Sequence, residues 1–247
     1  MQKYTNPSLM DESVEYIGLS FLDYGGPDRA AEYLTRIGGR AYGVNVLRRI
    51  GDAYFNEKED YPNALKAYAL LLQLYPDTPV APSVQNRVVQ CHRRLEDQTS
   101  AFLAREKLYN SYRDGTSWWD KNTDKETRKR ALVHVESALR DNITVLLNRG
   151  QETNQLEFFN QAVLQSRRYL ATFPTDSSAA LIHWNMALTL DTKLKQTAQA
   201  FDEYIEISNL YWESRYQRFA AANAVAMARD AAVSAIAAAE QDARRSI

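Results

Sequence analysis

Arginine and amide side chains carry the clearest binding chemistry in this sequence. Arg48, Asn86, Gln90 and Arg93 can all donate hydrogen bonds, and a guanidinium can grip a carboxylate through two parallel bonds. A ligand with a free carboxyl terminus or an acidic segment suits such a set. Asn45 and Asp52 extend the same candidate partner-binding strip. Nothing comparable supports catalysis. His92, His134 and His183 fall on different predicted helices, and none has a second ligand at i+3 or i+4, whereas zinc requires three or four clustered ligands. There is no glycine-rich phosphate loop, no nucleophile elbow and no strand to carry one. Carboxylate pairs such as Glu57 and Glu59 fall in turns or on solvated faces. The expectation is a protein that is not an enzyme, with no cofactor and no metal. Cys91 lies on the apolar stripe Val84, Val88, Cys91, Leu95 and reads as a buried thiol.

These side chains need elements to hold them, and internal repetition supplies the elements. Gly51, Ala64, Tyr68, Leu71 and Tyr75 line up with Ala187, Ala200, Tyr204, Ile207 and Tyr211 at an offset of 136, four times 34. Ala64, Leu72, Tyr75, Pro76 and Ala81 line up with Ala162, Leu170, Phe173, Pro174 and Ala179 at an offset of 98. A period near 34 marks helix-turn-helix units. Leu47, Ile50 and Tyr54 share one helical face, with Gly51 among them to admit a close neighbour. Ala64, Tyr68 and Leu71 repeat the spacing on the next helix. Tyr75-Pro76 stops that helix, because the residue before proline is pushed out of the α region.

Leu47, Ile50-Gly51, Tyr54, Ala64, Tyr68 and Pro76 resemble the tetratricopeptide repeat pattern, with one extra residue in the turn between Glu57 and Pro62. The resemblance implies an all-α fold of helical hairpins stacked into a right-handed superhelix, an α-solenoid. The linkers Leu72 to Pro82 and Phe173 to Ala179 are similar to those of bacterial envelope members of that family, such as the outer-membrane barrel-assembly lipoprotein and the TolA-binding coordinator. In such a stack the first helices line an inner face. With Gly51 as the register mark, that face carries Asn45, Arg48, Asp52 and Phe55; the next repeat adds Asn86, Gln90 and Arg93, and a later one Leu181, Trp184, Leu188 and Asp191. Trp184 is read either as a ligand contact or as buried under the helix of residues 125–149.

The repeats divide the chain into residues 1–113 with about three hairpins, an insertion at 114–124, a long helix with further repeats at 125–213, and an alanine-rich helix at 214–247. The first hairpin is degenerate: Val14, Ile17-Gly18 and Phe21, a turn at Asp23 to Asp28, then Ala30, Tyr33, Leu34 and Ile37, ended by Gly38-Gly39. Residues 125–149 carry the stripe Ala131, Val135, Ala138, Leu139, Ile143, Leu146. Trp118 and Trp119 are adjacent and cannot face one core, so one plugs a repeat while the other is a candidate aromatic anchor for a partner.

With 45% hydrophobic and 25% charged residues, and 9 Gly and 7 Pro in 247 residues, the composition fits a helix-rich domain. The net charge of -1 gives no basic excess for nucleic acid. No apolar run reaches the roughly 18 residues of a membrane span, and Met1 to Ser13 lacks the pattern of a signal peptide. The function expected is a protein- or peptide-binding scaffold, a piece of a larger bacterial envelope protein in the periplasm or cell envelope. The alternatives are a cytoplasmic sensing domain for a ligand or peptide and, third, an all-helical enzyme.

Overall fold

The computed structural model describes residues 7–37 and 42–245. Gly38-Gly39 and the side chain of Val14 lie outside what is described. The chain is 82% helix, with no strand among the described residues. In chain order the helices are α1 (Pro7–Asp23), α2 (Gly26–Arg36), α3 (Gly43–Asn56), α4 (Tyr61–Leu74), α5 (Ala81–Arg94), α6 (Gln98–Tyr112), α7 (Ser117–Lys121), α8 (Lys125–Thr153), α9 (Leu156–Thr172), α10 (Ala179–Thr192), α11 (Thr197–Leu210) and α12 (Arg215–Arg245). They divide into two compact units, Met1–Ala138 and Leu139–Ile247, with the boundary inside α8.

In the first unit each helix from α1 to α7 packs on the next, and α1 also reaches α3 while α2 reaches α4. Those two contacts lay the pair α1–α2 against the pair α3–α4 as one hairpin on another. The residues that the helical spacing marks as core are buried: Leu47, Ile50, Ala64, Tyr68 and Leu71 are fully so, and Tyr54 nearly. Val84, Ala101, Ala104, Leu108 and Tyr112 form the core of the next hairpin. Cys91 is buried there, and burial pushes its thiol up to about 12. In the second unit α10 packs on α9 and α11, and α12 on α11 and α10. Met186, Ala187, Leu190, Ala200, Tyr204, Ile207, Ala220 and Ala224 are its core.

The sequence repeats are also repeats of backbone geometry. Tyr75 N donates to Leu71 O at 2.8 Å, Thr78 N to Tyr75 O at 3.2 Å and Ala81 N to Thr78 O at 3.0 Å. The counterparts 98 residues on, Phe173 to Tyr169, Asp176 to Phe173 and Ala179 to Asp176, give 2.8, 3.2 and 3.0 Å. The turn joining α3 to α4 matches that joining α10 to α11 in the same way. Asp60 N donates to Tyr54 O and Gln196 N to Leu190 O, each at 2.9 Å, and the residue before each donor is left-handed, Glu59 at φ 50° and Lys195 at φ 56°. The extra turn residue between Glu57 and Pro62 therefore belongs to both hairpins.

Several boundaries differ from expectation. The first turn is only Tyr24-Gly25, and Gly26-Pro27 open α2, since a proline in the first helical turn forfeits no hydrogen bond. Ile37 lies past the end of α2 and is half-buried. Leu95 is exposed just beyond α5, and Val89 is more deeply buried than Val88. The stripe predicted on α8 is buried throughout, and that helix runs on to Thr153. Only the start of α12 is packed: Ala220 and Ala224 are buried, while Val225, Val233 and Ile236 are exposed.

Candidate functional site

Helical spacing on α3 and α5 builds the site in the first unit. Asp52 and Phe55 are three residues apart on α3, and Arg87, Gln90, Arg93 and Arg94 follow one stripe of α5. A side chain of α4 sets the first of these in place: Tyr68, buried against Gly51, donates its hydroxyl to Asp52 Oδ1 at 2.7 Å. Burial and that bond together hold the Tyr68 phenol well above its usual range. Asp52 Oδ1 in turn stands 3.7 Å from Arg87 Nε. The Arg87 guanidinium lies 4.9 Å over the Phe55 ring, and its Nη1 donates to Gln90 Oε1 at 3.0 Å. A cavity of about 590 Å³ opens beside them, lined by Phe55, Arg87, Gln90, Arg93 and Arg94. Three guanidiniums and an amide beside one carboxylate make a cationic recess with an aromatic wall, chemistry suited to an anionic group.

Of the predicted strip, Gln90 and Arg93 come together in this cavity, and Asp52 joins them through Arg87. Asn45 and Arg48 are exposed on the first half of α3, and Asn86 is half-buried on α5; none of the three lines the cavity. Sequence reasoning missed Arg87 and Arg94. Arg87 sits one helical turn before Gln90, and scanning the i, i+3 partners of each candidate would have found it.

The tryptophans serve the fold. Trp118 is buried, its indole Nε1 donates to Thr78 O at 2.9 Å, and its ring meets Tyr112 edge-on at 5.5 Å. It therefore plugs the core beside Tyr112. Trp119 is half-buried beneath the Arg128 guanidinium at 4.7 Å, and Arg128 also donates to Trp119 O and Asn122 O. In the second unit Trp184 is half-buried. Its ring packs on Tyr204 at 5.6 Å, Tyr216 at 6.0 Å and Phe219 at 6.1 Å, so α11 and α12 cover it. The alanines of α12 have little bulk, and its aromatic residues supply the contact.

No protein-family model and no curated protein matches the chain. Among the described residues no helix is long and apolar enough to cross a membrane.

Proposed function

We propose that the chain is a non-catalytic, tetratricopeptide-like scaffold whose hairpins stack in a right-handed superhelix and which binds protein or peptide, as part of a larger bacterial envelope protein. The arginine-lined cavity between α3 and α5 carries the reading. Its guanidiniums and the Gln90 amide match a carboxylate, and Phe55 offers apolar surface to the residue behind it. The matched linker and turn geometries support the repeat assignment.

Fluorescence anisotropy with acidic peptides tests it. The peptides are made once with a free C-terminus and once amidated. A bond to a charged group contributes about 1.5–3 kcal/mol, so amidation should weaken binding roughly tenfold or more. Arg93→Ala with Arg94→Ala should do the same, and both side chains are exposed, so the thermal midpoint should hold. Arg48→Ala should add a smaller loss, since Arg48 stands outside the cavity. Equal binding of both peptide forms, unchanged in the double variant, would remove the cavity from the function.

A further inference from the structure

A larger recess lies in the second unit, about 680 Å³, and its polar lining is of a different kind: Asp176, Glu203, Glu206 and His183 with Tyr211, against one guanidinium, Arg167. Glu203 and Glu206 are three residues apart on α11, which puts both carboxylates on one face a turn apart. His183 meets them from α10. Its imidazole is buried, with Nε2 2.8 Å from Glu203 Oε2 and Nδ1 3.2 Å from the Tyr211 hydroxyl. Ligating atoms of His183, Glu203 and Glu206 all lie within 4.8 Å of one another.

Two carboxylates so close repel each other unless a cation lies between them. Arg167 stands 3.6 Å from Glu203 Oε1, but its side chain is half exposed and also donates to Gln199. Among the described residues Glu206 has no hydrogen bond or ion pair. The site is thus rich in negative charge on its α11 side and holds one oriented imidazole.

We propose that His183 Nε2, Glu203 and Glu206 bind a divalent first-row transition-metal ion, zinc in the first instance. One imidazole and two carboxylates are borderline donors that suit zinc, whereas calcium and magnesium prefer oxygen alone. Zinc bonds of about 2.0–2.2 Å in a tetrahedron place donors about 3.3 Å apart, so the glutamate side chains must draw in by about 1.5 Å at most. Rotation about their side-chain torsions supplies that. Nδ1 is held by Tyr211, the arrangement that fixes the ring of a metal-bound histidine. In the free site Nε2–H donates to Glu203; on binding, that proton passes to solvent and Nδ1 takes one up, so that Nδ1–H donates to the Tyr211 oxygen and Nε2 presents its lone pair to the metal. Three protein ligands leave a fourth position open to the recess, whose walls include Leu170, Pro174, Met186 and Leu210.

The experiment uses the full chain, free of any affinity tag and stripped with a chelator. Zinc is titrated by calorimetry and cobalt(II) by visible absorption, with the thermal midpoint followed alongside. One equivalent should bind, with the intense absorption of tetrahedral cobalt and a raised midpoint. Glu206→Gln, at an exposed position, should keep the circular dichroism spectrum and weaken zinc tenfold or more. Glu203→Gln should do likewise, and Tyr211→Phe should weaken zinc by a smaller factor. No heat and no cobalt spectrum in the parent chain would overturn the proposal. So would zinc affinity that Glu206→Gln leaves unchanged.

Discussion

The ring of Tyr68 lies across the backbone of Gly51, so close that a Cβ on Gly51 would run into its Cδ1, Cε1 and Cζ carbons. Their counterparts 136 residues on, Ala187 and Tyr204, are both fully buried in one core cluster, with a methyl in place of the glycine hydrogen. Glycine is thus a close-packing choice, and the hairpin tolerates one added carbon if the ring gives way. Gly51→Ala should lower stability modestly, and Gly51→Leu should cost about 1–3 kcal/mol by overpacking. Tyr68→Ala should cost about 3 kcal/mol or more. Urea denaturation reads all three, and an unchanged midpoint for Gly51→Leu would take that contact out of the core.

The two repeat tyrosines hand their hydroxyls to different acceptors. Tyr68 donates to Asp52 at 2.7 Å, whereas Tyr204 donates to Asp191 at 3.3 Å. In repeat register Asp52 corresponds to Leu188 and Phe55 to Asp191, so carboxylate and apolar residue have exchanged places one turn apart. Tyr68→Phe should therefore cost about 1.5 kcal/mol, the low end for a bond to a charged acceptor that solvent still reaches. Tyr204→Phe loses a longer bond to Asp191 and also the one that Asn223 gives the same hydroxyl, so in an Asn223→Ala background, where the Asp191 bond alone is at stake, it should cost less. Thermal unfolding of the pair checks the order, and the reverse order would deny Asp52 its place as the stronger acceptor.

That exchange shows why the hairpins were legible and the site only partly so. Core positions obey the spacing of a helix, and each repeat copies them, so Leu47, Ile50, Ala64, Tyr68 and Leu71 could be placed from their types alone. The linker at Tyr75-Pro76 could be placed too, because proline dictates the backbone around it. Side chains on the exposed faces obey no such rule. Gln90 and Arg93 were found by register, but Arg87 reaches Asp52 and Phe55 across two helices, a contact that no period encodes. The cluster of His183 with Glu203 escaped for the same reason. Its members lie 20 residues apart on facing helices, beyond any i+3 or i+4 search.

Cys91 gives a chemical probe of the first unit. The thiol is fully buried and burial raises it to about 12, so near pH 8 almost none is thiolate and none is accessible. A disulfide reagent should label the folded chain orders of magnitude more slowly than the chain in urea, at a rate set by opening of the unit. Gly51→Leu should speed that labelling by weakening the adjoining hairpin. Equally fast labelling of folded and unfolded chains would contradict the burial of α5.

Asp176 sets a pH dependence in the second linker. Its carboxylate accepts the Tyr169 hydroxyl at 2.7 Å and Ser178 N at 2.8 Å, and these bonds, the tyrosine's first, hold its pKa below the usual 3.8. The folded state therefore binds this proton less readily than the unfolded chain. The stability so gained is fully present above about pH 4 and is lost as pH falls through the depressed value. Asp97 and Asp124, each lowered by helix-capping bonds, act in the same window, so the parent curve alone cannot isolate Asp176. The difference between parent and Tyr169→Phe can. Tyr169 is fully buried, and removing its hydroxyl should lower the urea midpoint at pH 6. The gap should narrow as the pH falls below about 4, where the protonated acid of the parent no longer rewards the bond. A gap that stays constant from pH 6 to pH 2.5 would show that Tyr169 supports the linker by packing and not through the charge on Asp176.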